Sequence, residues 1–113
     1  MKIYHNSRCR KSREALKIIQ NHSQKYEIIE YMKDRLSAKE ISSILKKLRL
    51  DPINLVRENE SIWKQNYKGK KLTNTEIINI MQENPKLIQR PIIMTDNKAI
   101  IGRDIEKIKD LFY

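Results

Sequence analysis

Hydrophobic and polar positions along the chain fall into blocks whose spacing changes several times. Residues 2–5, KIYH, are rich in β-formers and predict a short strand. Ala15, Leu16, Ile18 and Ile19 then recur at helical spacing, so a helix covers Ser12 to Gln20 and starts near Cys9 or Arg10. YEIIEY, residues 26–31, predicts a second strand. Ser37 to Glu40 forms a capping box ahead of Ile41, Ile44, Leu45 and Leu48, the apolar stripe of a second helix. Residues 52–66 read as a short helix and a loop around Trp63. A second capping box, Thr73 to Glu76, leads into Ile77, Ile78, Ile80 and Met81, and Asn84-Pro85 ends that helix. PIIM (91–94) and KAII (98–101), joined at Asp96-Asn97, predict a hairpin that Gly102 breaks. A last helix from Asp104 to Phe112 presents Ile105, Ile108, Leu111 and Phe112.

The order is β-α-β, a helical middle, then β-β-α. Removing residues 32–84 leaves the order of a thioredoxin-like domain, in which a parallel and an antiparallel pair share one sheet. The expected class is therefore α/β: one thioredoxin-like domain over 1–113, with a mixed sheet of about four strands and a helical insertion at about 32–84.

Charge adds a constraint. The 24 basic and 14 acidic residues give a net charge of +10, which attracts anions. Most of the basic residues are scattered lysines, and KGKK (68–71) is the only other local cluster besides the one around Cys9. RNP-like aromatic strands and zinc-type Cys/His spacing are absent, so a nucleic-acid partner is not expected. No apolar run reaches the roughly 18 residues of a membrane helix, and the first residues lack a signal-peptide pattern. A cytoplasmic protein without a membrane partner is expected.

The single cysteine concentrates the chemistry. Cys9 stands in YHNSRCRKSR among Arg8, Arg10, Lys11 and Arg13. A buried role fits poorly, because burying it would drag charges inward. A metal site needs about four ligands, and the chain offers one cysteine with His5 and His22 at no paired spacing, so no metal is expected. A reactive thiolate fits. At a helix N-terminus, free amides, the helix dipole and nearby cations all favour negative charge, and the same features bind an oxyanion. The Cys-x5-Arg phosphatase loop is excluded because position 15 is Ala15, and a Cys-x-x-Cys pair is excluded because position 12 is Ser12. A redox role for Cys9 therefore needs a second thiol from another molecule.

IYHNSRCRKSREAL (3–16), LVRENE (55–60), IQRPIIM (88–94) and IIGRDIEKI (100–108), in this order, resemble the ArsC family of glutaredoxin-coupled arsenate reductases and their relatives. The resemblance covers essentially the whole chain. It implies a thioredoxin-like core with a helical insertion, and it implies that Cys9 is the nucleophile. By motif match it assigns oxyanion binding to Arg57, Arg90 and Arg103, and tuning of the thiolate and its loop to His5, Ser12 and Arg13. In thioredoxin-like folds a cis proline faces the active site ahead of a strand, so Pro91 is expected to be cis.

The implied reaction is reduction of arsenate, or a similar oxyanion, to the trivalent state. Glutathione and glutaredoxin are the external reductants, and no tightly bound cofactor is expected. The expected state is a monomer. A different class stays open: an Spx-like redox-responsive regulator binding RNA polymerase. Ser12 in place of a second cysteine, and Arg103 in IGR, weigh for the enzyme. A glutathione-linked thiol reductase with another substrate is a third reading.

Overall fold

A computed structural model describes residues 1–22 and 25–112. The chain divides into two compact units, one formed by Met1–Asp34 with Arg90–Tyr113 and the other by Arg35–Gln89. The second unit ends later than the insertion boundary of about 84, because Leu55 O accepts from Gln89 N–H (2.8 Å) and Val56 bridges to Ile88.

The first unit holds β1 (Lys2–Tyr4), α1 (Arg10–His22), β2 (Glu27–Ile29), β3 (Ile92–Met94), β4 (Ala99–Ile101) and α5 (Ile105–Asp110). Its sheet runs β2-β1-β3-β4, with β1–β2 parallel and the other two pairs antiparallel. This is a thioredoxin-like arrangement. Each strand is shorter than its predicted stretch. Ile3 and Ile93 face each other across β1 and β3 and are fully buried, as expected of alternating positions on one sheet face. They join Ala15 and Ile19 of α1 and Ile108 of α5 in one core cluster. Ile105, expected on the apolar stripe of the last helix, is 42% exposed. The helix has only six residues, and Ile105 stands at its first position, one turn ahead of the buried Ile108. His22 ends α1 exposed, stacked on Phe112 with ring centroids 5.2 Å apart.

The second unit holds α2 (Ala38–Leu48), α3 (Ser61–Asn66) and α4 (Asn74–Glu83), with 3-10 turns at Pro52–Leu55 and Pro85–Leu87. Both capping boxes form reciprocally. Ser37 Oγ and Thr73 Oγ1 each accept the N3 amide at 3.1 Å, and the N3 glutamates return bonds to the cap amides. Ile41, Ile44 and Leu45 of α2 and Ile77, Ile80 and Met81 of α4 are buried where these helices pack, and Trp63 of α3 is buried too. Among the described residues, no helix is long and apolar enough to cross a membrane.

Candidate active site

Cys9 lies between β1 and α1, immediately before the first helical residue. Its carbonyl accepts the amide of Arg13 (3.0 Å), and its own amide donates to Asn6 O (3.0 Å), closing a turn. Cys9 thus takes the N-cap place of α1, where a side-chain acceptor meets the free amides of the first turn. The backbone amides of Ser12 and Lys11 favour the anion at the sulfur. Burial pushes the thiol up, but a hydrogen bond from Arg90, these two amides and the Arg90 charge outweigh it and hold the thiol below its ordinary value. Burial works against the charge of Arg90 as well, yet Cys9 and Tyr31 beside it raise its affinity for the proton. Arg90 therefore stays a cation on the sulfur.

Beneath the loop, Ser12 is fully buried. Its Oγ accepts the Asn6 amide at 3.0 Å and lies 2.6 Å from His5 Nδ1. His5 is buried, and burial, aided by the Arg13 charge, lowers its pKa against the opposing pull of Glu30 and Ser12. The imidazole is therefore neutral at pH 7. Arg13 Nη1 donates to Ser7 O at 3.0 Å, bracing the outer side of the loop. Arg10 and Lys11 are drawn to Glu14, at 3.1 and 3.8 Å. Of the four basic neighbours of Cys9, three are thus engaged locally. The cation on the sulfur comes from Arg90, 81 positions away in sequence.

The Arg90–Pro91 peptide bond is cis. Pro91 is buried, and its carbonyl accepts the Gly102 amide at 2.7 Å. A Cβ on Gly102 would lie 2.8 Å from Ile93 Cδ1 and 3.2 Å from Pro91 Cγ, so glycine keeps this approach open. Gly102→Ala is expected to cost about 1–3 kcal/mol of stability, the usual penalty of overpacking, read as a lower urea midpoint.

Arg103 follows Gly102 and is exposed. Arg57 belongs to the other unit, where its Nη1 lies 2.9 Å from Glu60 Oε1 and its amide donates to Leu87 O at 2.7 Å. Sequence reasoning missed Tyr31 and Glu30. Tyr31 is buried with its hydroxyl against Arg90, and Glu30 acts on His5. Both close YEIIEY, and only the parallel pairing of β2 with β1 brings that end to the Cys9 loop.

Residues 4–111 match the ArsC family. An arsenate reductase of Haemophilus influenzae is 34% identical over 111 residues, covering 96% of this chain and 95% of that protein. The uncharacterized protein YfgD of Escherichia coli K12 is 34% identical over 113 residues, covering 98% and 95%. An arsenate reductase structure from Vibrio cholerae superposes with a TM-score of 0.90 at 32% identity, covering 97% of each chain. The motifs around Cys9, Arg90 and Arg103 and the sheet that carries them therefore have one explanation: this chain belongs to the ArsC family.

Proposed function

We propose that the protein is a thiol-dependent arsenate reductase that works as a cytoplasmic monomer, with glutathione and glutaredoxin as external reductants. The observation that carries this reading is the Arg90 guanidinium acting on a Cys9 thiol that stands immediately before α1. A cation and two amides around a lowered thiol make a site that both forms a nucleophile and holds a tetrahedral anion. The relatives named arsenate reductase support the choice of anion.

In this mechanism the Cys9 thiolate attacks arsenic. A sulfur–arsenic bond forms, and one arsenate oxygen leaves as water after taking up a proton. Arg90 offers a planar fork to the remaining oxygens and stabilises the charge that moves onto them. Arg57 and Arg103 share this task by their match to the family motifs. His5, Ser12 and Arg13 hold the loop so that its amides keep pointing at the sulfur. Glutathione then adds to arsenic, expelling a second water. The two arsenic-bound sulfurs couple as the disulfide Cys9–S–S–G, and the electron pair they give up takes arsenic from the pentavalent to the trivalent state. A glutaredoxin thiolate attacks the glutathione sulfur and returns Cys9 as thiolate, and arsenite departs.

The test is arsenate-dependent NADPH oxidation with glutathione, glutaredoxin and glutathione reductase. The wild type is expected to turn over and Cys9→Ser to show only the background rate. Equal rates for the two would sink the proposal.

A further inference from the structure

Within the second unit, Arg57 is tied down by its own loop. Its amide donates to Leu87 O at 2.7 Å, and its carbonyl accepts the Glu60 amide at 3.1 Å, closing the turn that leads into α3. Glu60 is the N-cap residue of that helix, a place where Ser, Thr, Asp or Asn would satisfy a free amide. The Glu60 side chain makes no capping bond there. It reaches back instead, with Oε1 2.9 Å from Arg57 Nη1 and Oε2 3.7 Å from Lys86 Nζ. The Arg57 and Glu60 side chains are only 22% and 19% exposed, so solvent and salt screen this pair less than a surface pair. Glu60 thus forgoes a local helix bond for a shielded contact with an arginine.

Direction sets this contact apart from an ordinary salt bridge. At 2.9 Å it is short enough for a hydrogen bond, yet among the described residues the buried Nη1 has no hydrogen-bond partner. Its N–H bonds therefore point away from Oε1. Charge holds the guanidinium, and the Nη1 donors stay unused in a place where an unpaired donor is costly. We infer that Glu60 is the positioning residue of Arg57: it fixes the guanidinium by charge and leaves the Nη1 donors for an oxygen of the anionic substrate. The inference rests on the oxyanion role given to Arg57 under the reductase reading, and it adds the residue that prepares Arg57 for that role. A donor ordered in advance spares the cost of immobilising a long side chain when the anion binds. Lys86 lies against the other carboxylate oxygen, so two cations face one anion and a net positive charge remains for the substrate.

Glu60→Ser separates this role from a structural one, because serine can cap α3 but is too short to hold Arg57. Its urea midpoint is expected to match or exceed that of the wild type. Its kcat/KM for arsenate should fall roughly tenfold, part of the 10²–10³ that a whole oxyanion donor costs. In an Arg57→Ala background the same change should alter kcat/KM by less than about twofold, because the group through which it acts is gone. Glu58→Gln removes an exposed carboxylate from the same loop and, as the charge control, should stay within about twofold of the wild type. A readout without arsenate is modification of Arg57 by phenylglyoxal, followed on its peptide by mass spectrometry with the exposed Arg103 as internal reference. Glu60→Ser should uncover Nη1 and speed modification of Arg57 relative to Arg103. An equal loss of turnover with and without Arg57, together with a lowered urea midpoint, would make Glu60 a structural residue and overturn the inference. An unchanged rate of Arg57 modification would overturn it too. Full arsenate turnover by Glu60→Ser would remove the role of Glu60 and leave the reductase. A wild type without turnover, with faster modification in Glu60→Ser, would remove the reductase reading and leave Glu60 as the residue that holds Arg57.

Discussion

Arg90→Ala is expected to lower kcat/KM for arsenate about 10²–10³-fold, the usual cost of one oxyanion donor, and to raise the pH midpoint of Cys9 alkylation. The sign of the second effect follows from the site. Only the thiolate is alkylated, so the rate climbs with pH through the thiol pKa. In the wild type that midpoint is held below the ordinary thiol value, because Arg90 and the α1 amides favour the anion. Without Arg90 the amides remain and burial still opposes ionisation, so the midpoint moves up toward the free value. Arg90→Lys separates charge from shape. A lysine keeps a cation near the sulfur but offers a point charge in place of a planar fork. It should restore most of the alkylation profile and little of the arsenate turnover. An alkylation midpoint unchanged in Arg90→Ala would refute the role given to Arg90.

The largest stability effect is expected for Ile93→Ala, about 2–5 kcal/mol for a truncated core isoleucine. Ile93 is fully buried in β3, between Ile3 of β1 and Ile100 of β4, and belongs to the cluster with Ala15, Ile19 and Ile108. The backbone on both sides is tied into the sheet, so the cavity has little room to collapse. A domain of this size has about 5–15 kcal/mol in total, so the urea midpoint by circular dichroism should fall by roughly 1–2 M. Ile105→Ala is the matched control. It deletes the same atoms at a 42% exposed position and should stay within about 0.5 kcal/mol of wild type. Comparable losses for the two would mean that the core is not centred on the β1–β3 pair.

Legibility in the sequence followed the range of the interactions. The capping boxes at Ser37 and Thr73 are complete within four residues and could be read directly. The order of elements along the chain followed from apolar periodicity, and the sharing of one sheet by a parallel and an antiparallel pair from the thioredoxin-like order they form, whereas the position of each strand in the sheet came from the structure. The contact of Ile105 with solvent was hidden, because periodicity marks a stripe and does not reveal where a short helix stops packing. The local charges misled in one respect. YHNSRCRKSR suggests that neighbouring cations activate Cys9, whereas Arg10 and Lys11 turn to Glu14 and Arg13 to Ser7 O. The effective cation, Arg90, was assigned through a family motif, because composition and spacing do not reveal which distant arginine reaches the loop. Tyr31 and Glu30 carried no signal at all, since their place depends on one parallel strand pair.

The register of that sheet has a consequence during synthesis. Ile3 pairs with Ile93, and Arg90 lies just ahead of β3, so the first unit is assembled from two segments that the second unit separates in sequence. Closing a loop of some 90 residues is a late and slow event compared with forming α2 or α4. Until β3 leaves the ribosome, Cys9 lacks both its guanidinium partner and the central sheet contact that fixes its loop. Before β3 is made the nascent thiol is therefore expected to behave as an ordinary one, and the lowered thiol pKa to appear only once Arg90 and β3 are in place.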